Sequence, residues 1–504
     1  LINRQTVSKY QPVALFLFLL AVYLLTYTPR INSSDGLAMF STAESLARRG
    51  ALDVEQIRWM ELQQGTYGLD GLLYSRKGVG VPLAMLPLTW LGLVIPWFGP
   101  VGVSLLFNAI ITALTAVLIL AYLQALGYSR RAGLITALTF GLATLAWPYA
   151  KSLFSDPFSG FLLLAAAYAL LKLKTTLPNI SPALRQNILA QTLNPLPRPS
   201  APLLPGSLMA ALAGLCLGWN VATRYAEALF LPVFGLLLLY YLVSSTYDLR
   251  FTTIVPEAKR SGIYDLRSFL KKPSFILHHS SFILAFSAPI GLSGLGLVAF
   301  NLSRYGDPLN TGYLPAETFS AIWWQGIWGQ LFSPGRGLLL YSPVFLLSLM
   351  GLPAFFRRHR PEAVLALSVI LIHLLLYGKW FMWHGGFAWG PRFMVPTLPF
   401  WAILLAPVAD LRFTLYDLRG KLFILLALLG SCIQLLLVLV DFTPFQGFLL
   451  DTGLPLFDPQ TFFDPQFSPL WRGWAFITSE NLDLAWTWEG RVNGWLLAAL
   501  LINV

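Results

Sequence analysis

Runs of apolar residues about as long as a bilayer is thick recur from one end of this chain to the other, and that recurrence restricts the fold more than any other feature. A helix needs ~20 such residues to cross the hydrocarbon core. The runs fall at 12–28, 103–126, 133–148, 157–171, 206–222, 227–243, 281–299, 337–355, 362–378, 394–409, 422–440 and 492–504. Only 11% of the residues are charged, where a soluble chain carries about 25%. The expected fold is an all-α polytopic membrane protein with about twelve transmembrane helices. The first run lacks a small-residue cleavage site and reads as helix one rather than as a signal peptide. The chain starts without Met and the last run stops at Val504, so trimming at both ends is expected. Cys216 and Cys432 lie inside expected spans, which argues against a disulfide framework or a cysteine zinc site.

A net charge of +11 suggests nucleic acid until its distribution is considered. With the N-terminus placed in the cytoplasm and the spans alternating, the inner segments hold 20 of the 34 Lys and Arg but only 6 of the 23 Asp and Glu. Lys and Arg gather on the cytoplasmic side of membrane proteins, so the excess is topology and no nucleic-acid partner is expected. The scheme requires that Val79–Phe98 not cross fully, and Pro82, Pro87 and Pro96 suit a re-entrant or interfacial helix there.

The inner loops 172–205 and 244–280 read as plain basic linkers, and no internal repeat stands out. The outer segments differ. Residues 29–78 form a long loop in which Ser34 and Asp35 can cap a helix from about Gly36 to Arg49, with Glu44 and Arg48 an i,i+4 pair. Polar knots occur further along in WPYAKSLFSDP (147–157), TRYAE (223–227), NLSRYGDPLNTGY (301–313), LFSPGRGLLLYSP (331–343) and KWFMWHGGFAWGPRF (379–393). All sit at span ends on one side, where ionisable groups are costly unless paired or lining a wet cavity. One shared outward cavity is the simplest arrangement.

The order SSDG, LYSRKGVGVPL, FSDP, TRY, FSPGRGLLLYSP and WHGGFAWGPRF resembles the GT-C superfamily of membrane glycosyltransferases. The likeness is to relatives of the protein O-mannosyltransferases and the aminoarabinose transferase, over about residues 10–410. The resemblance implies a GT-C-like bundle and inverting transfer of a sugar from a polyprenyl-phosphate carrier, undecaprenyl or dolichyl, on the outer face of the plasma membrane. The chain is read as a catalytic region 1–441, with the first outer loop at 29–102, an aromatic and acidic outer segment 442–490, and a last helix 491–504.

Asp35 holds the family position of the catalytic base that takes the acceptor's proton, and its other reading is a helix N-cap. Asp156 opens a helix with Pro157 and matches a second family acid, against a plain capping role. Lys77, flanked by Gly78 and Gly80, fits the carrier phosphate or a snorkelling lysine, with Arg76 as the solvated neighbour. Arg224 binds phosphate or pairs with Glu227, and Lys151, Arg336 and Arg392 complete the outer cations. In 379–393, Gly385, Gly386 and Gly390 turn the backbone and Pro391 stiffens the entry into the next helix. Its aromatics form an interfacial belt or a cavity wall in which Trp383, Trp389 and His384, with Tyr74, contact sugar or acceptor. Asp35, Asp156 and His384 together can hold a divalent ion, which some relatives need and others do not. The segment 442–490 is a lid or an acceptor surface, and sequons at Asn32 and Asn301 match by chance. Rival readings are a lipid-linked sugar flippase, an oligosaccharide ligase with a diphosphate-linked donor, and a membrane scaffold.

Overall fold

The computed structural model describes residues 4–95, 99–177, 204–246, 273–410, 418–488, 491–494 and 497. The central parts of both inner linkers and nearly all of the expected last helix lie outside the described residues. The fold is helical apart from two short β-hairpins. It divides into a larger unit (1–164, 222–225 and 297–504) and a smaller one (165–221 and 226–296).

Eight helices among the described residues are long and apolar enough to cross a membrane, and each answers to an expected span. Among the described residues the expected count of twelve is not confirmed. The first expected run forms α1 (Arg4–Leu25), a helix of 22 residues with Pro12 inside it. The run at 133–148 breaks: α5 (Arg130–Ala143) ends at Thr144, whose extended backbone (φ −134°, ψ 168°) hands over to the short α6 (Ala146–Lys151). The run at 337–355 is cut where Ser342 leaves the helical region ahead of Pro343. An apolar run specifies burial but not continuity, and Pro343 helps fix the second interruption.

In the larger unit, α2 (Ser34–Arg49) starts the first outer segment. Ser33, not Ser34 or Asp35, caps it, its Oγ accepting from the Gly36 N–H at 3.0 Å. Arg48 and Arg49 favour the negative end of the helix dipole, and Gly50 closes it in the left-handed region (φ 67°). The expected Glu44–Arg48 pair forms at 2.9 Å. Next comes a hairpin of β1 (Gly65–Tyr67) and β2 (Leu73–Ser75), which the apolar pattern does not signal. Leu73 joins Ala38, Val54 and Ile57 in a small core beneath α2. Then α3 (Gly80–Val94) covers the Pro-rich run in 15 residues, about 22 Å at the helical rise, against ~30 Å of hydrocarbon. It packs between α2 and α4 (Gly99–Ala125). In the smaller unit, close packing rests on glycine: a Cβ at Gly214 would meet the Phe286 carbonyl oxygen at 2.0 Å.

Candidate active site

Because Ser33 takes the cap, Asp35 is left to point elsewhere. The start of α2 is pressed against Leu153: Ser33 Oγ donates to the Leu153 carbonyl at 3.2 Å, and a Cβ on Gly36 would lie 2.6 Å from that oxygen. This docking carries Asp35 to the start of α7 (Asp156–Thr176), where Asp156 is fully buried. Arg392 joins the two acids, its Nη2 donating to Asp35 Oδ2 and its Nε to Asp156 Oδ2 at 3.2 Å.

Each remaining carboxylate oxygen has its own cation. Lys77 Nζ lies 2.9 Å from Asp35 Oδ1, and Arg224 Nη1 pairs with Asp156 Oδ1. Arg224 also donates to the Tyr377 hydroxyl at 2.5 Å. Its guanidinium lies over the rings of Tyr377 and Phe393, and that of Arg392 over Phe154 at 4.2 Å. Burial alone would raise the pKa of Asp35, but Arg392 and Lys77 outweigh it and hold the carboxyl well below the usual carboxylate range. Two anions against three cations leave the cluster at +1.

Lys77 is held in place by glycine. A Cβ on Gly78 would fall 2.3 Å from the Ala222 carbonyl oxygen, and one on Gly80 within 2.7 Å of the Thr223 nitrogen, so the loop lies directly on the backbone leading to Arg224. These glycines allow a backbone-to-backbone approach. Arg76 is a further correction. It is buried rather than solvated, ion-paired to Glu317 at 2.9 Å and donating to the Gln63 carbonyl, while the Lys77 side chain keeps 25% of its surface exposed. Lys77 is therefore the open edge of the cluster.

The remaining residues singled out in the sequence are built into other contacts. In the 379–393 loop, Gly385, Gly386 and Gly390 all take positive φ (80°, 71° and 61°), as the turns require. Buried Arg336 donates to the carbonyls of Gly386, at 2.7 Å, and Ala388, and is sandwiched between Phe442 and Phe462. It fixes the loop backbone rather than facing the acids. His384 stacks on Phe462 and Phe457, and its Nδ1 accepts from the Gly386 N–H at 3.2 Å. Burial and the Arg336 charge push its pKa down to about 3, which keeps it neutral. Trp383 packs on Phe462 and Phe463, and Trp389 on Phe442 and Phe445. These rings face the 442–463 segment, neither a belt nor the acids. Lys151 is ion-paired to Asp483 at 2.9 Å and donates to the Val438 carbonyl at 2.8 Å. Tyr74 donates to Asp70 at the tip of the hairpin.

Among the described residues, no group of three or more His, Cys, Asp and Glu is placed to hold a metal. His384 is turned into its aromatic stack, and all four oxygens of Asp35 and Asp156 already face cations that would repel a divalent ion. The residues present do not fit the metal that the sequence left open. Sequence reasoning missed Tyr377, Phe154 and Asp483. Phe154 stands in the FSDP motif; the other two carry no local signal.

No protein-family model matches the chain, and no curated protein matches it. Solved structures do. The chain is similar to ArnT from Cupriavidus metallidurans bound to undecaprenyl phosphate, at 16% identity over 85% of this chain and 64% of that one, TM-score 0.46. It is also similar to the S. cerevisiae protein O-mannosyltransferase Pmt1-Pmt2 complex bound to the sugar donor (16%, 60% and 34%, TM-score 0.39). A third is the Archaeoglobus fulgidus oligosaccharyltransferase tethered with an acceptor peptide (13%, 86% and 55%, TM-score 0.48). The chain thus spans less than two thirds of the length of each. These likenesses extend over 60–86% of this chain.

Proposed function

We propose that the protein transfers a sugar, with inversion, from a polyprenyl-phosphate carrier to an acceptor on the outer face of the membrane. The observation that carries this reading is the five-residue cluster of Asp35, Asp156, Lys77, Arg224 and Arg392 at the ends of apolar helices. Its net +1 matches the single negative charge of a sugar phosphodiester better than the larger charge of a diphosphate-linked donor. The resemblance of SSDG, LYSRKG and GPRF to GT-C motifs supports the carrier class.

Asp35 is a weak base while Lys77 and Arg392 both hold it. A donor phosphate arriving at the exposed edge shares those cations, and the basicity of Asp35 rises with the donor bound. The acceptor oxygen then forms its bond to the sugar's anomeric carbon and its proton passes to Asp35. The bond from that carbon to the phosphate oxygen breaks, with the electron pair leaving on the phosphate. Protonating Asp35 takes the cluster to +2 as the phosphate gains charge, so the two changes compensate where charge develops. Asp156 positions Arg392 and Arg224.

Native mass spectrometry with polyprenyl phosphate, beside Lys77→Ala, Arg224→Ala and Arg392→Ala, tests the carrier site. Retention above that of an ordinary phospholipid, weakened in the three variants, is expected. Equal retention of both lipids by the wild type would sink the reading.

A further inference from the structure

A small, half-open cleft lies beside the acid cluster, lined by the segments that carry Asp35, Asp156 and Arg392. Ser33, Phe154 and Trp389 line it, standing two residues before Asp35, two before Asp156 and three before Arg392. Its far wall is the 437–442 stretch and Asp483. The walls include Ser33 and Phe154 but neither Lys77 nor Arg224.

The lining is chemically distinct from the cluster. Its charges balance: Lys151 and Asp483 neutralise one another, leaving one cation, Arg30, and one anion, Asp441. Arg30 is exposed and has no hydrogen bond or ion pair among the described residues. Asp441 uses Oδ2 to cap the helix Phe442–Asp451 through Thr443, with no bond shown at Oδ1. Phe387 also lines the cleft, with 44% of its surface exposed. An exposed ring beside an unpaired donor and an unpaired acceptor, without net charge, matches a molecule that has flat C–H faces and many hydroxyls and carries no charge.

We propose that this cleft binds a neutral carbohydrate unit of the acceptor, stacked on Phe387 and hydrogen-bonded by Arg30 and Asp441. The proposal rests on the glycosyltransferase reading for its role, but the binding stands on the cleft alone. The test is saturation-transfer NMR on the full chain in detergent, with methyl α-mannoside and methyl β-glucoside, and methyl glucuronoside as the charged control. The neutral glycosides are expected to show transfer that falls about fivefold in Phe387→Ala, is retained in Phe387→Trp, and falls in Asp441→Asn. No transfer from either neutral glycoside, transfer unchanged in Phe387→Ala, or preference for the glucuronoside overturns the proposal. So does competition by a neutral serine peptide in place of the sugars. Polyprenyl phosphate retention, measured on the same samples, separates the two readings. Its loss with glycoside binding intact defeats the carrier site alone, and the reverse defeats the cleft alone.

Discussion

Two arginines, Arg336 buried and Arg392 partly exposed, belong to the same loop system, and their partners set them to different work. Arg392 donates to two carboxylates that two further cations also hold, in a cluster with one exposed edge. Arg336 donates to two backbone carbonyls, is covered by Phe442 and Phe462, and lies against no acid. Burial lowers the pKa of Arg336, while for Asp35 the neighbouring charges overcome burial. An arginine on backbone carbonyls is structural because those buried groups need its donors. An arginine on carboxylates can exchange one anion for another.

The sharpest way to break this comparison is Asp35→Asn. Removing the base should lower sugar transfer by roughly 10²–10⁴-fold while the protein stays folded and still retains polyprenyl phosphate. Transfer near the wild-type rate in a folded Asp35→Asn protein would take Asp35 out of the mechanism. The next largest effect belongs to the other region. Arg336→Met leaves the carbonyls of Gly386 and Ala388 without their donor, at about 1–3 kcal/mol each. Thermal unfolding in detergent should show a clear fall in Tm, with carrier retention per folded molecule unchanged. A stable Arg336→Met protein that has lost the carrier would reverse the roles assigned to the two arginines.

Legibility in the sequence divides along the same line. Asp156, Arg224 and Arg392 can be found because ionisable groups at span ends need a reason to be there, Asp35 and Lys77 through the motifs SSDG and LYSRKG, and the structure does bring these five together. The positive-φ glycines of the 379–393 loop are legible for the same kind of local reason. Arg76 and Lys77 are not separable, because which of two adjacent cations turns inward depends on Glu317, about 240 residues away along the chain. Nothing in 379–393 announces that residues 442–463 supply the ring partners of Trp383, His384 and Trp389. The breaks at Thr144 and Ser342 are hidden inside apolar runs, since hydropathy reports burial and not backbone continuity.

A smaller effect sharpens the contrast through pH. His384 is buried as the neutral ring, with its pKa lowered from 6.5 to about 3. The unfolded chain binds a proton below pH 6.5 that the folded chain refuses, so this stabilisation is full above 6.5 and is lost as pH falls toward 3, at about 1.4 kcal/mol per unit. His384→Gln should flatten the fall in Tm between pH 7 and pH 5. An identical pH profile in the variant would mean that the ring is not sealed as described. Asp35 acts in a separate window: its depressed pKa stabilises the fold above 3.8, and that contribution is lost only in more acidic solution.

The smallest change compares Arg392 with a lysine in its own place. The guanidinium reaches Asp35 through Nη2 and Asp156 through Nε at once, a fork that a single ammonium cannot reproduce. Arg392→Lys keeps the charge at +1 but gives up one of these bonds, so a loss of carrier retention of about tenfold is expected, roughly 1.4 kcal/mol. Arg336→Lys serves as the partner experiment, because it too keeps the charge while losing one carbonyl contact, and its cost should appear in Tm instead. If Arg392→Lys held the carrier as tightly as the wild type, charge alone would account for the site. The shared geometry of the two acids would then be a feature of folding, as the contacts of Arg336 are.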